Sequence, residues 1–403
     1  MTKKRVLVFA EYIGENHNST AYYWSQIVKY LLGGYEVILV APENSHSVEF
    51  VEKYGIAARL VKHAKHNKNS LLSRLWGQLR QSARFMAAIR QELKQCDLVF
   101  SGTNPIVAMG LMSIVAKLNK CQWLVLVHDV FPNNLVPARI IRPGGMAYRV
   151  LARFSRSLYS TPTHLISIGR DMKALLAEKT GKPEHITYIP NWASAEVIQP
   201  VRKADNSVLR KLGWTASDTV VFQFFGNLGR LQGIQNLLDA IDMTQSERAR
   251  FLFIGDGSEQ AKVIAAAEKI NAQWGYQRVC YYGTIPLSEN SAGLNACDVS
   301  LVTLSSQMYG LGVPSKAYFS IAADKPILCV GDEGSELHQM VKEFPVGWFV
   351  DADKAYALAS QIDRIADSPQ SELTSVSPRV ILNQYFSEQQ ALEQIERVVR
   401  QLV

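Results

Sequence analysis

Residues 221–240 read VFQFFGNLGRLQGIQNLLDA. The apolar run Val220–Phe225 has the look of a strand buried on both faces. It stops at Gly226-Asn227, and Gly229-Arg230 and Gly233 follow. A helical pattern then begins, with Ile234, Leu237, Leu238 and Ile241 in period. Strand, glycine-rich turn and helix start together make an anion site. Small residues let the backbone approach, and the first helical amides have no partner of their own. Arg230 adds a permanently charged planar fork. The pattern points to phosphate, and it lies in the middle of the chain. A dinucleotide enzyme of the usual kind carries its phosphate loop first.

Outward from this stretch, strands and helices alternate in both directions. Before it, short apolar runs fall at Arg5–Ala10, Val37–Ala41, Leu98–Ser101, Trp123–Val127, Leu165–Ile168 and Ile186–Ile189. Helical patterns lie between them at Ala21–Leu32, Ile106–Leu118 and Asp171–Lys179. After it, strands are expected at Phe251–Ile254, Val279–Tyr282, Val299–Thr303 and Ile327–Val330. The matching helices are Glu259–Asn271, Leu287–Ala296, Lys316–Ala323 and Lys354–Asp367. This is α/β patterning of two doubly wound parallel sheets. Pro190 and Pro200 break the period between them. The expected domains are residues 1–192, a linker 193–206, residues 207–386, and a last helix, 387–403, returning to the first domain. Two such sheets facing across a hinge make a cleft at the carboxyl ends of their strands.

A chain of 403 residues exceeds one ordinary core. No run of 18 apolar residues exists, and the N-terminus reads as a first strand rather than a signal peptide. The five cysteines are scattered without a CxxC pair, which suggests a reducing, cytoplasmic setting and neither zinc nor disulfides. Residues 1–200 hold 25 Lys and Arg against 13 Asp and Glu, and residues 201–403 hold 18 against 23. The basic half suits nucleic acid, an anionic membrane, or a solvated surface.

The order and spacing of several segments resemble the retaining glycosyltransferases of family 4, with the GT-B fold. In the second half these are GNLGRLQG (226–233), FIGDG (253–257), YGTIP (282–286), ACDVSLVTL (296–304) and GVPSKAYFSIAADKPIL (312–328). In the first half they are GYEVILVAP (34–42), VHDVFP (127–132), LISIGRDMKALL (165–176) and YIPNW (188–192). The chain is most similar to bacterial members that build O-antigen, capsule and exopolysaccharide, including transferases of N-acetyl-fucosamine type. The resemblance implies a hexosyltransferase that moves a sugar from a UDP-sugar to a lipid-diphosphate-linked saccharide. It implies retention at the anomeric carbon, no cofactor and no metal, and a peripheral place on the inner face of the cytoplasmic membrane.

The resemblance also assigns residues. The donor diphosphate falls to the Gly226 amides, Arg230 and Lys316, in a loop where Asn227 and Gln232 stand at the usual Arg and Lys positions. Gly233, Gly255, Asp256, Gly257 and Ser315 line the nucleotide side, and Thr284-Ile285 present backbone groups to the base. Leu311 and Phe319 occupy the places of the two customary Glu residues, one of which holds the ribose. Asp256 could equally cap the next helix. His128 and Asp129, at a strand end, serve a sugar hydroxyl or the acceptor proton, or simply satisfy their loop. Asn18-Ser19 would approach diphosphate and acceptor, although capping by Ser19 or Thr20 is nearly as good a reading, and Glu11 and His17 are weaker candidates in the same loop.

Within the basic segment Arg59–Lys94, residues Leu72, Leu75, Trp76, Leu79, Phe85 and Ile89 could share one helical face beside Arg74, Arg80, Arg84 and Arg90. Such a helix can lie on an anionic leaflet or pack on the core. Nucleic acid is disfavoured, since no binding module is present. Two alternatives stand beside the transferase: a nucleotide-sugar epimerase of similar fold, and a non-catalytic partner subunit.

Overall fold

The computed structural model describes residues 3–15, 18–62, 71–286, 289–369 and 377–403, with the side chains of 71–76 and 78 left aside. The chain divides into two compact units. The first comprises Met1–Asn133, Arg142–Pro190 and Gln389–Val403; the second comprises Asn134–Ile141 and Asn191–Glu388. Each holds one parallel sheet, as expected for GT-B architecture.

The first unit runs β1 (Arg5–Phe9), α1 (Ser19–Leu32), β2 (Glu36–Glu43), α2 (Ser45–Tyr54), β3 (Ala57–Lys62), α3 (Leu71–Glu92), β4 (Leu98–Gly102), α4 (Ile106–Asn119), β5 (Gln122–Val127), α5 (Met146–Ser160), β6 (His164–Ser167), α6 (Arg170–Thr180) and β7 (Ile186–Tyr188). Its strand order is β3-β2-β1-β4-β5-β6-β7. The chain builds outward from β1 in one direction, then resumes on its other side at β4. That reversal places a crevice beyond the carboxyl ends of β1 and β4.

The second unit runs α7 (Ser207–Leu212), β8 (Val220–Phe225), α8 (Ile234–Met243), β9 (Ala249–Ile254), α9 (Gln260–Trp274), β10 (Val279–Gly283), α10 (Asn290–Leu294), β11 (Val299–Thr303), α11 (Lys316–Ala322), β12 (Ile327–Gly331), α12 (Glu336–Glu343), β13 (Gly347–Asp351), α13 (Ala355–Asp367) and α14 (Pro378–Tyr385). The chain closes with α15 (Glu388–Leu402). Strand order is β10-β9-β8-β11-β12-β13, so the reversal falls between β8 and β11.

The apolar run of β8 is continuous because both its faces are covered. Phe222 and Phe224 lie opposite Phe251 and Phe253 of β9, with ring centroids 5.7 and 6.1 Å apart. Stacked pairs of this kind add about 0.5–1.5 kcal/mol each beyond their burial. Val221 faces the other way, into a cluster with Leu252, Ile254 and Cys297. Gln223 is the one polar residue in the run, and its Nε2 donates to the Gly293 carbonyl at 2.7 Å.

Several element expectations need correction. Strand β3, which opens the basic segment with Arg59, and β13 and α5 are among the elements added to the expected set. The helix expected over Leu287–Ala296 is only the short α10, and Leu287 lies outside the described residues. In α3 the described apolar residues Phe85 and Ile89 are buried, with Phe85 4.8 Å from the Phe9 ring of β1, whereas Leu79 is exposed. Core packing thus claims this part of the helix. Leu72, Arg74, Leu75 and Trp76 fall among the side chains left aside.

Candidate active site

The loop after β8 is held by backbone. Gly226 N donates to Ile254 O at 2.9 Å, Leu228 N to Asp256 O at 2.7 Å, and Glu259 N to Leu228 O at 2.9 Å. Gly255 N continues the series to Gly283 O at 2.9 Å, so the ends of β8, β9 and β10 are zipped together. This approach requires glycine. A Cβ on Gly255, which has φ +133°, would lie 2.0 Å from Gly226 O, and one on Gly257 would lie 2.5 Å from Leu228 O. Asn227 sits within the fold of the loop, its side chain against Gly229 and Gly257. Asp256 contributes a backbone carbonyl and does not cap α9, which begins at Gln260.

Across the β8/β11 reversal a second set of bonds fixes the loop's far end. Thr303 Oγ1 donates to Gln232 O at 2.5 Å, and Ser305 N to Leu231 O at 2.9 Å. Gly233, at φ +62°, packs on the Leu304 carbonyl and precedes α8, which has no side-chain cap. The first turn of α8 thus keeps its amides for another acceptor.

Two cations stand here. Arg230 is exposed and makes no hydrogen bond or ion pair among the described residues. Lys316, at the start of α11, points its Nζ at Gln232 Oε1 (2.7 Å) and lies 3.7 Å from the Phe224 ring centroid. Burial lowers its pKa to about 7, because the charged form loses water. No carboxylate pairs with it among the described residues. Lys316 therefore reaches Gln232 across the β8/β11 reversal. Ser315 immediately precedes it without a capping bond. Leu311 is buried and Phe319 is half-buried. Thr284 is exposed, while Ile285 packs its side chain over Gly293 and Phe225.

In the first unit the groups that follow β1 and β5 are desolvated by burial. His128 follows β5, its N donating to Thr103 Oγ1 at 3.4 Å. Its Nε2 is buried and lacks a partner among the described residues, and burial lowers the imidazole pKa to about 4, so the ring is neutral. Burial raises the Asp129 pKa, and the Asn104 amide at 3.1 Å offsets part of that. Tyr159 donates to Asp129 O at 3.2 Å and accepts from Phe131 N at 3.0 Å, which fixes the loop. Burial raises Glu11, after β1, to about 7. Asn18 caps α1, its Oδ1 accepting from Ala21 N at 2.8 Å, so Asn18 takes the role considered for Ser19 or Thr20. His17 lies outside the described residues.

Sequence reasoning missed Thr303, Ser305, Asn104 and Glu15. Ser305 Oγ is buried without a partner among the described residues, beside Gly233. Its signal was its place just past β11, at the reversal. Glu15 collects Lys29, Lys53 and Tyr54 at 2.7–2.8 Å; burial works to raise its pKa, but these bonds outweigh it and hold it at about 2. This pins the β1–α1 loop. The described residues contain no group of three His, Cys, Asp or Glu able to hold a metal ion, and no helix long and apolar enough to cross a membrane.

Residues 20–192 match the glycosyl transferase 4-like domain, and residues 219–368 match the glycosyl transferases group 1. "Probable glycosyltransferase WbjE" of Pseudomonas aeruginosa is 40% identical over 402 residues, covering 99% of this chain and 98% of that protein. Anabaena HepE in complex with UDP superposes with a TM-score of 0.74 at 15% identity, over 98% of this chain and all of that one. WaaG, a glycosyltransferase involved in lipopolysaccharide biosynthesis, does so at 0.67 and 13%, over 96% and 99% of the two chains. The chain belongs to the glycosyltransferases with a 4-like first domain and a group 1 second domain, and it is an enzyme of the hexosyltransferase type.

Proposed function

We propose that this glycosyltransferase moves a sugar from a UDP-sugar, an N-acetylated deoxyhexosamine being the leading candidate, to a lipid-diphosphate-linked saccharide in bacterial surface polysaccharide synthesis. The observation that carries the reading is the pair of cations, Arg230 and Lys316, that have no carboxylate partner among the described residues at the glycine-packed end of β8. A diphosphate supplies the missing anions, and its arrival restores the charged form of Lys316. HepE was solved with UDP, which supports the same class of ligand here. WaaG acts in lipopolysaccharide biosynthesis, which supports a related pathway.

In this reading the second unit binds the donor. Amides at Gly226 and in the first turn of α8, with Arg230 and Lys316, take up the charge that grows on the diphosphate as the anomeric C–O bond breaks. No metal is needed for that neutralisation. Gln232 orients Lys316, Gly255–Gly257 and Ser315 border the nucleotide, and Thr284-Ile285 meet the base through their backbone. The first unit binds the acceptor. The acceptor oxygen forms the new bond to the anomeric carbon on the face from which UDP departs, and its proton passes to a leaving phosphate oxygen. Configuration is retained. His128, neutral with a free Nε2, hydrogen-bonds a sugar hydroxyl and does not serve as a strong base. A lipid-linked acceptor places the work on the inner face of the cytoplasmic membrane.

UDP release from a panel of UDP-sugars, with and without a lipid-diphosphate acceptor, tests this. Transfer should require both substrates and yield a product of unchanged anomeric configuration. Arg230→Ala and Lys316→Ala should each slow it at least about tenfold, the loss of one hydrogen bond to a charged group. Full turnover in both variants would overturn the donor site; product formed without acceptor would make the enzyme an epimerase.

A further inference from the structure

Helices α4 and α5 of the first unit carry an exposed apolar surface that the donor chemistry leaves unused. Ile114 and Leu118 are one turn apart on α4, and Met146, Val150 and Phe154 are successive turns of one stripe on α5. All are exposed, from 53% for Phe154 to 85% for Met146. The two stripes are contiguous. Phe154 lies over Gly110 of α4, where an added Cβ would meet its ring at 3.4 Å, and Lys117 Nζ donates to Ser157 Oγ at 3.2 Å. Helix α5 buries its opposite side through Ser155, Leu158 and Tyr159, so the exposed stripe is not a frayed remnant of the core. A soluble surface seldom gathers five large apolar side chains without a use.

Charge says what covers it. From Leu98 to Ser160 the chain has seven Lys or Arg and a single acid, Asp129, which is held at the end of β5 by Asn104. Arg149 and Arg153 flank the apolar stripe on α5 and are exposed, and Lys117 stands between Ile114 and Leu118 on α4. An apolar stripe with arginines on its flank, lying along a helix, matches the boundary between acyl chains and anionic headgroups. Burying it against a second protein would leave these cations needing carboxylates that this chain does not place there. We infer that the α4–α5 face seats the enzyme on an anionic lipid leaflet, with Phe154, Val150 and Leu118 entering the acyl boundary and Arg149 and Arg153 at headgroup level. This rests on the lipid-linked acceptor reading and deepens it by naming a surface on α4 and α5 that meets the bilayer.

The test uses the full chain and vesicles of phosphatidylcholine, alone or mixed with phosphatidylglycerol, in co-sedimentation without donor or acceptor. The wild type should bind the mixed vesicles, weakly the neutral ones, and less at high salt. Leu118→Asp with Val150→Asp should abolish binding, and Arg149→Glu with Arg153→Glu should weaken it at least about fivefold per residue. Both double variants should melt like the wild type and keep transfer to a short, water-soluble acceptor analogue. Wild-type indifference to anionic vesicles, or unchanged binding in both variants, would overturn the inference. So would sedimentation velocity showing a wild-type dimer that these variants make monomeric, since the face would then be a self-interface. Because vesicle binding is read without turnover, it can fail while UDP-sugar transfer stands, and transfer can fail while it stands.

Discussion

Helix α1 follows β1 and helix α8 follows β8, at the same point of two similar sheets, yet their first turns are finished differently. Asn18 closes the start of α1 with its own side chain, while Gly233 leaves the start of α8 without one. The surrounding groups differ in the same sense. The first unit gathers desolvated groups, a neutral His128 beside Asp129 and Glu11, whose pKa values burial raises; the second gathers two cations that meet no carboxylate among the described residues. The start of α1 is complete in itself, and the desolvated His128 beyond β5 suits hydroxyl-bearing ligands. The start of α8 is incomplete until an anion arrives. A common topology therefore says where a ligand goes, and the local charge says which ligand.

The sharpest way to break this comparison is to fill the close backbone contact between the ends of β8 and β9. Gly255→Ala puts a Cβ 2.0 Å from Gly226 O at φ +133° and should cost about 3 kcal/mol or more, read by urea unfolding. Gly102→Ala, at the end of β4, meets the Trp24 ring at 3.3 Å and should cost about 1 kcal/mol. Equal losses would mean the two ends are equally tight.

Next in size, Lys316→Met should weaken UDP binding by about 1.5–3 kcal/mol in calorimetry, without lowering the melting temperature of the free protein. The ammonium is a charge held out of water, and its loss removes that burden.

The pH dependence should then have opposite slopes in the two units. Between about pH 4.5 and 7 the folded chain keeps a proton on Glu11 that the unfolded chain has lost, so this group's contribution falls as pH rises through that window. Glu11→Gln should flatten that loss, worth about 1–2 kcal/mol for a half-buried carboxyl. Between about pH 7 and 10.5 the folded chain lacks a proton on Lys316 that the unfolded chain retains, so stability rises with pH there. Unfolding titrations of Glu11→Gln and Lys316→Met against wild type check both signs. Smallest is Asn18→Ala, expected to cost about 1 kcal/mol in thermal unfolding and to leave UDP binding unchanged.

Much of this contrast was legible in the chain, and the exceptions have physical causes. Val220–Phe225 and Val299–Thr303 stand out because central parallel strands are apolar on both faces. Edge strand β3 was hidden, since Arg59 and Lys62 interrupt a run that need not be fully buried. Helix α5 escaped because its apolar residues point outward and its buried side includes Ser155. At the candidate site, Arg230 and the glycines announce themselves locally. The bond from Lys316 to Gln232 spans 84 residues, and Thr303 and Ser305 join the loop only because β11 is the sheet neighbour of β8. Such partners are set by strand order, which a linear pattern does not display. The titration of Glu11 is likewise set by what the fold places around it.

The last helix has a consequence for anyone wishing to separate the halves. Gln389–Val403 belongs to the first unit, where Tyr35 donates to Glu396 at 2.8 Å and Ala391, Ile395, Val398 and Val399 are buried. A gene severed after Pro190 would yield an amino-terminal fragment with a bare greasy seam, prone to clump. Supplying the final fifteen-odd residues as a separate peptide should mend it, which makes this tail a natural handle for split-protein reconstitution.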